Sequence, residues 1–435
     1  MSQQKKSFVL PIAMMFALFA MIAFVTNLCN PMAVIVKNQF GASNFEAQLG
    51  NAANFIAYAV MGIPSGLLLK KIGYKNTALL AIVVGFVGVF LQYMSGWDSI
   101  RSFWVYLIGA FIAGFCMCML NTVVNPMLNT LGGGGNKGNQ LIQFGGVLNS
   151  FSATFVTILV GGLIGDATRA QISDATPALF IALAIFALAF LVLFFVNIPE
   201  PASKAETAEA KTVKDEHSAF SFRHFKLGIL AIFLYMGVEV GVPTFILQYL
   251  STSPDAATPG FGMDAGIAAT IAGVYWLLML VGRLCGGLLG AKFSSRAQIA
   301  TVATLCIVFL LIGMFAPTTT QVTIFGFNGS TGDFTSAQVP VGILFLVLCG
   351  LCTSVMWGGI FNMAVEGLGK YTEFGSGMFM VMVCGGGILV PIQGWVADVA
   401  GSFLTSYFVV ILCAAYILWY ALIGSKNVNK DIITN

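Results

Sequence analysis

Apolar stretches long enough to cross a bilayer as helices, about 20 residues each, recur along the whole chain. Lipid offers the backbone no hydrogen-bond partners, and these stretches are too long for barrel strands, so we predict helices throughout. The pattern predicts an all-α polytopic membrane protein with twelve spans, at residues 8–35, 47–69, 77–95, 103–130, 139–165, 177–198, 225–250, 264–290, 297–316, 338–365, 374–398 and 402–424.

One long polar stretch, rich in Ala, Lys and Glu, separates the sixth span from the seventh. It lacks apolar periodicity, which is typical of a flexible linker between two domains. We therefore predict an N-terminal six-helix bundle in residues 1–198, a linker in 199–224 and a C-terminal six-helix bundle in 225–435.

The polar residues give little support for catalysis or metal binding. The chain is 58% hydrophobic and 9% charged, whereas soluble domains carry about 25% charge. Its nine cysteines are scattered through apolar spans, and its two histidines lie in the polar linker, without the spacing of a metal site. Zinc-protease and phosphate-loop motifs are also absent from the sequence. We expect no enzyme activity, no cofactor and no nucleic-acid partner.

The basic residues predict the orientation in the membrane. If both termini are cytoplasmic, seventeen Lys and Arg fall on the cytoplasmic side and only Lys37, Arg101 and Arg169 fall on the other side. The positive-inside rule favours this arrangement.

The two halves share a sequence repeat. Residues 61–76 (MGIPSGLLLKKIGYKN) align without gaps with residues 281–296 (VGRLCGGLLGAKFSSR). Repeated halves running in the same direction imply a pseudo-two-fold axis along the membrane normal. The first segment resembles a degenerate form of the cytoplasmic gating loop of the major facilitator superfamily. The resemblance implies gating roles for Lys70, Lys71 and Arg283, although each is also explained as a solvated loop cation.

Glu239 is the only carboxylate set deep within a span. A charge at membrane depth costs about 2.5–3.5 kcal/mol on insertion scales, so Glu239 is a candidate cation or proton site. A protonated or hydrogen-bonded structural Glu is the alternative. Gly241 and Pro243 follow it, and aligning Pro31 with Pro243 predicts interrupted helices at matching places in the two halves.

Amide and aromatic side chains within the spans collect on a few helices. Carboxamides offer donors and an acceptor, and Trp and Tyr offer flat apolar faces, a combination that fits an uncharged sugar. Arg283 is expected near the cytoplasmic end, leaving no mid-span cation for an anionic ligand. Hydrogen bonding between helices is the competing explanation for each amide. The predicted substrate site comprises Asn27, Asn30, Asn54, Asn121, Asn125, Gln143, Asn149, Tyr275, Trp276, Trp357, Asn362 and Gln393.

Several motifs resemble the fucose:proton symporter family of the major facilitator superfamily. They are FVTNLCNP in the first span, LNTVVNPMLNTLG in the fourth, LNSF in the fifth and GGGILVPIQGWVADVAG in the eleventh. The resemblance implies two pseudo-symmetric six-helix bundles in a bacterial inner membrane and a monomeric transporter. It also implies cation-coupled monosaccharide uptake by alternating access, with Asn27, Asn121 and Asn149 near the sugar.

The sequence departs from this family at positions that bear on the co-transported ion. Asn30 stands where the family's first helix usually has Asp, Asn121 where the fucose transporters have Glu, and Gly146 where the fifth helix has Gln. Asn does not titrate, so Glu239 is left as the coupling residue, within a Y-x-G-x-E pattern that resembles hexose-specific relatives. The co-transported ion is Na⁺ or H⁺, with Na⁺ slightly favoured because carboxylate, amide and carbonyl oxygens suit a hard cation. An uncoupled uniporter, a small-molecule exporter and a membrane receptor are the alternatives.

Overall fold

The structure is a computed structural model that describes residues 9–131, 135–164, 167–196, 217–289, 293–328, 331–368 and 371–429. The predicted linker lies largely outside the described residues. Fourteen α-helices are present in the described part of the chain: α1 (Val9–Gln39), α2 (Asn44–Ala47), α3 (Leu49–Met94), α4 (Phe103–Leu131), α5 (Gly135–Ile164), α6 (Thr176–Phe195), α7 (Arg223–Ser251), α8 (Ala265–Leu289), α9 (Ser295–Phe315), α10 (Val341–Thr353), α11 (Met356–Val365), α12 (Thr372–Met382), α13 (Gly385–Ala400) and α14 (Phe403–Trp419).

The prediction of twelve membrane spans is confirmed, because these helices supply twelve segments long and apolar enough to cross a bilayer. Helix α3 contains two of them, Leu49–Leu69 and Lys71–Met94. The chain reverses at Gly73, near the start of the second of these segments, and its φ of 79° favours glycine. The spans form two six-helix bundles, and the residue boundaries of the two halves stay a prediction.

The predicted interruptions at Pro31 and Pro243 are wrong, because α1 and α7 each continue through their proline. Neighbouring helices in a membrane bundle can compensate for the missing proline N–H. The breaks lie elsewhere. The tenth span divides between α10 and α11 at Ser354, and the eleventh divides between α12 and α13 at Val383.

A β-hairpin between α9 and α10 was not predicted from the sequence. Strands β1 (Gln321–Asn328) and β2 (Asp333–Pro340) pair antiparallel, and Gly332 closes the turn with a φ of 75°. Strand β1 lies on α8, where the Phe327 N–H donates to Thr270 Oγ1 at 3.1 Å. The hairpin lies between two spans, and the lengths of the apolar spans, from which we predicted the helices, do not predict it.

Glycines allow the two halves to approach closely along α3 and α13. A Cβ added at Gly387 would lie 2.6 Å from the Ala52 carbonyl oxygen, and one at Gly386 would lie 3.2 Å from the Phe55 ring. Two of the three consecutive glycines that open α13 therefore allow close contact between the halves, as small residues commonly do between membrane helices.

We call the side of the membrane where α1 begins the inner side and the opposite side the outer side. On the outer side, Asp398 at the end of α13 accepts hydrogen bonds from the first half. Its Oδ1 accepts from the Asn44 side chain at 2.6 Å and the Asn44 backbone at 3.2 Å, and its Oδ2 accepts from the Phe45 backbone at 3.0 Å. A carboxylate is favoured at a helix N-terminus, here that of α2.

Lys37 extends this outer contact. Its Nζ donates to Asn44 Oδ1 at 2.7 Å and to Thr252 Oγ1 at 3.4 Å, and it lies 5.2 Å from the centroid of the Phe403 ring. The Asn44 amide therefore joins a cation of its own half to a carboxylate of the other half. This arrangement closes the outer side.

Replacing Asp398 with Asn should open the outer side, because it removes the charge that accepts three hydrogen bonds. We expect a loss of about 1–3 kcal/mol from the closed state. Spin labels are attached at Ser99→Cys and Ala257→Cys, which are exposed outer positions in the two halves. The background variant Cys285→Ser removes an exposed thiol. Pulsed electron paramagnetic resonance then measures the distance between the two labels, which should increase.

Asp333→Asn is the matched control, since this carboxylate is exposed on the hairpin. Distance distributions that are the same in the Asp398 variant, the control and the unmodified protein would contradict a closing role for Asp398.

Candidate substrate and ion site

A cavity of about 1240 Å³ lies between the two halves. It extends to the inner ends of the bundles, where Phe144, Gln298 and Asn362 line it. Towards the outer side it ends at a contact between the halves, where Thr244 Oγ1 donates to Asn30 Oδ1 at 3.0 Å. The protein is therefore open towards its inner side.

Six of the predicted amides line this cavity: Asn27, Asn30, Asn121, Asn125, Asn149 and Asn362. Their amide nitrogens are largely used within the protein. Asn121 Nδ2 donates to Tyr58 Oη at 2.9 Å and to the Met117 carbonyl at 3.1 Å, and Asn125 Nδ2 donates to the Asn121 carbonyl at 3.0 Å. These bonds fix the rotamers of Asn121 and Asn125 and leave their side-chain oxygens to accept from a ligand.

Two predicted tryptophans also line the cavity. Trp276 is only 6% exposed, and its indole Nε1 is buried without a hydrogen-bond partner in the described structure. Trp357 lies in the second half of the broken tenth span and packs against Tyr235 at a centroid distance of 6.2 Å. An unpaired buried donor is costly, so Trp276 is a strong candidate to donate to a ligand oxygen.

Glu239 lies near the middle of α7 and faces the same cavity. Its Oε1 lies 3.6 Å from Nη2 of Arg283, and the two side chains are 13% and 18% exposed. Arg283 lies near the inner end of α8, as expected, but the expectation that no cation reaches the middle of the spans is wrong. Its long side chain extends into the cavity, where the guanidinium pairs with the Glu239 carboxylate.

Arg283 also contacts the first half of the molecule. Its Nη1 donates to the Gly146 carbonyl and to Ser150 Oγ, both on α5 and both at 2.8 Å. A Cβ at Gly146 would already lie 3.6 Å from this nitrogen, so a long side chain there would occupy the space of the guanidinium.

Three predicted substrate residues do not line the cavity and have structural contacts instead. Asn54 is fully buried and donates to Cys29 Sγ at 3.7 Å. Tyr275 is fully buried, with its hydroxyl 2.9 Å from Thr353 Oγ1. Gln393 donates to Ser406 Oγ at 3.3 Å within the second half. Their contact with substrate is not supported in this conformation, because helix packing covers all three.

The remaining predicted site residues are peripheral or lie outside what is described. Lys71 is exposed at the inner turn of α3 and does not line the cavity. The side chains of Lys70 and Gln143 lie outside the described part of the molecule. A gating role for the two lysines stays a prediction.

The cavity also contains residues that were not predicted. Thr26 and Tyr58 line its first-half wall, and Gln298 lies near its inner opening. Tyr58 follows Asn54 by one helical turn, a spacing visible in the sequence. Gln298 lies in the first turn of α9, and the sequence shows no feature that places it in the cavity. Within the described residues no group of three or more His, Cys, Asp or Glu side chains could hold a metal ion.

Residues 14–391 match the family model of the Major Facilitator Superfamily. The glucose/galactose transporter of Brucella abortus biovar 1 (strain 9-941) is 29% identical over 414 residues, which cover 94% of this chain and 93% of that protein. The L-fucose-proton symporter of Escherichia coli (strain K12) is 25% identical over 447 residues, which cover 98% of this chain and 95% of that protein.

Two solved structures share the fold. The transporter FucP in the outward conformation matches with a TM-score of 0.66 at 24% identity, covering 97% of this chain and 100% of that chain. The xylose transporter XylE from E. coli in its inward open conformation matches with a TM-score of 0.68 at 11% identity, covering 96% of each chain. The predicted twelve-helix fold in two bundles is thereby confirmed.

The direction in which the cavity opens predicts the reactivity of a cysteine at its inner end. With Cys285→Ser as background, Asn362→Cys should react with an impermeant maleimide about tenfold or more faster from the inner side, because outer access needs a minor conformation. Comparing inside-out with right-side-out vesicles measures this ratio.

Ser99→Cys, on the outer surface, should show the opposite preference. If Asn362→Cys reacts equally fast from both sides, the described opening is wrong. If both cysteines show reversed preferences, the predicted orientation of the termini is wrong.

Proposed function

The chain belongs to the Major Facilitator Superfamily, and we propose that it couples the uptake of a monosaccharide to the entry of a proton. Members of this superfamily are transporters rather than enzymes. The observation that carries the proposal is a single cavity between the halves that combines six amides, two indoles and one paired carboxylate.

The cavity lining supports an uncharged sugar as substrate. Amide oxygens accept from sugar hydroxyls, while the indole N–H of Trp276 donates to a sugar oxygen. The apolar faces of Trp276 and Trp357 suit the C–H surface of a sugar ring. Relatives named for glucose, galactose and fucose support a hexose or deoxyhexose.

The surroundings of Glu239 support H⁺ rather than Na⁺ as the coupled ion. A Na⁺ ion needs several oxygen ligands, whereas the charged partner of Glu239 is a guanidinium at 3.6 Å, which repels a second cation. A proton needs one carboxylate oxygen only. The relative named as a proton symporter supports the same choice. We therefore set aside the preference for Na⁺ and the tentative assignment of Glu239 as a Na⁺ ligand.

The proposed step of the transport cycle rests on which end of the cavity is open and which is closed. The described conformation is closed by Asp398 on the outer side and open on the inner side, as sugar release into the cytoplasm requires. The basic residues support cytoplasmic termini, and the bacterial relatives support an inner-membrane location. We propose that the protein works as a monomer.

Replacing Glu239 with Gln should abolish sugar accumulation and spare sugar exchange. The variant keeps the shape of a protonated Glu239 but cannot release a proton, so the sugar and proton gradients are no longer linked. Radiolabelled D-glucose, D-galactose and L-fucose are offered to proteoliposomes with an imposed pH gradient. The accumulation ratio should fall to about one.

Glu366→Gln is the matched control, because it removes an exposed carboxylate at the inner end of α11. If the Glu239→Gln variant accumulates sugar as well as the Glu366→Gln control does, Glu239 is not the coupling residue. Downhill sugar entry without any effect of the pH gradient in the unmodified protein would favour a uniporter.

A further inference from the structure

We propose that the β-hairpin anchors the outer side of the protein in lipid, through an aromatic face that inserts where the headgroups meet the acyl chains. The face consists of Phe325, Phe327 and Phe334. These rings point the same way, because Phe327 is paired with Phe334 and Phe325 lies two residues before Phe327. The inference concerns a surface outside the cavity and goes beyond the proposed function.

The described part of the protein leaves most of this aromatic face uncovered. Phe325 is 73% exposed and Phe334 is 75% exposed. Phe327 is half-buried, and its ring packs edge-on against that of Phe334 at a centroid distance of 5.5 Å. Apolar rings grouped in this way are unfavourable in water and mark a surface that contacts an apolar partner.

The hairpin descends along α8 to membrane depth. A Cβ added at Gly326 would lie 2.8 Å from Ile267 Cγ2, and the N–H of Phe327 donates to Thr270 Oγ1 at 3.1 Å. Helix α8 begins at Ala265, and each helical residue rises 1.5 Å, so Thr270 lies about 7 Å inside this span. Amphipathic surfaces insert into the boundary between headgroups and acyl chains to a similar depth, about 5–10 Å.

The bond to Thr270 also meets a requirement that lipid imposes on the backbone. In an antiparallel pair, alternate N–H groups point away from the partner strand, and at membrane depth water does not satisfy them. Thr270 is only 9% exposed and supplies an acceptor for the outward-pointing N–H of Phe327. The hairpin can therefore lie against lipid without an unpaired donor at this position.

The aromatic face continues a surface of α5 that faces lipid. Phe151 and Phe155 are 59% and 50% exposed, and neither lines the cavity. Gly162 follows Phe155 by about two helical turns, so it lies on the same face of α5. A Cβ added at Gly162 would lie 2.9 Å from the Phe327 ring, so the missing side chain makes room for this ring. The hairpin thus covers the lipid side of the junction between α5 and α8.

The composition of the hairpin favours acyl chains rather than charged headgroups as its partner. Residues 317–340 contain no Lys, Arg or His and a single acid, Asp333. Anionic headgroups attract basic segments, so this surface gains no affinity from a negatively charged lipid. The partner is therefore the apolar part of the outer leaflet, whatever its headgroups.

The test measures the environment of a nitroxide at Ser336→Cys, which is exposed and paired with Phe325 on the aromatic face. The label is attached in the Cys285→Ser background, and the full chain is placed in phosphatidylcholine vesicles with or without phosphatidylglycerol. Electron paramagnetic resonance compares collisions with oxygen, which concentrates in lipid, and with a water-soluble nickel complex. Labels at Ala257→Cys and Phe155→Cys, both at exposed positions, are the references for water and for lipid.

The ratio of oxygen to nickel collisions should be about fivefold or more higher at Ser336→Cys than at Ala257→Cys, because apolar oxygen partitions into lipid. The ratio should be the same in both lipid mixtures. Adding Phe325→Asn and Phe334→Asn should lower it at least about threefold, since the face then no longer favours lipid. Gln321→Asn is the matched control, because it changes an exposed polar residue on the same face of β1 and should leave the ratio unchanged.

Four results would overturn the inference. A ratio at Ser336→Cys equal to that at Ala257→Cys would place the face in water. Low collision rates with both reagents would show that protein, such as a second copy of this chain, covers it. A high ratio that needs phosphatidylglycerol would show recognition of a headgroup. An unchanged ratio after both Phe substitutions would show that packing on α8 alone places the hairpin.

Discussion

The ion pair between Glu239 and Arg283 is the contact on which the account of this protein depends. A carboxylate inside a membrane protein is costly unless a proton or a cation neutralises it. Here the neutralising group is a guanidinium at 3.6 Å that also donates to α5 in the other half. The protonation of one side chain is thereby connected to the contact between the two halves, which is the contact that must change when the cavity changes sides.

The same constraint explains the organisation of the polar groups around this pair. In the cavity wall the amide nitrogens of Asn121 and Asn125 donate to backbone carbonyls and to Tyr58, so these nitrogens are satisfied within the protein. At the outer side, Asp398 is satisfied by the exposed N–H groups at the start of α2. The bond from Asn121 to Tyr58 and the bonds to Asp398 join parts of the chain that are far apart in sequence. Buried polar groups on the outer side and in the cavity wall are therefore satisfied by hydrogen bonds within the protein.

The sequence predicted the parts of the structure that depend on span length and side-chain chemistry. Twelve spans, the two bundles, and the cavity positions of Asn27, Asn121 and Glu239 belong to this group. The helix breaks at Ser354 and Val383 were missed, because proline marks a lost hydrogen bond but packing decides whether the helix breaks. The reach of Arg283 was missed because residue position along a span does not fix where a long side chain ends. Tyr275 and Gln393 were placed in the cavity because helical position alone does not show which face a neighbouring helix covers.

The most direct test of proton-coupled sugar uptake is the pH of the medium outside lightly buffered, de-energised vesicles that contain the protein. Adding a transported hexose should draw protons inward with the sugar, so the medium becomes more alkaline, and Glu239→Gln vesicles should give no change. Sugar entry at the same rate without any alkalinisation in the unmodified protein would contradict the account.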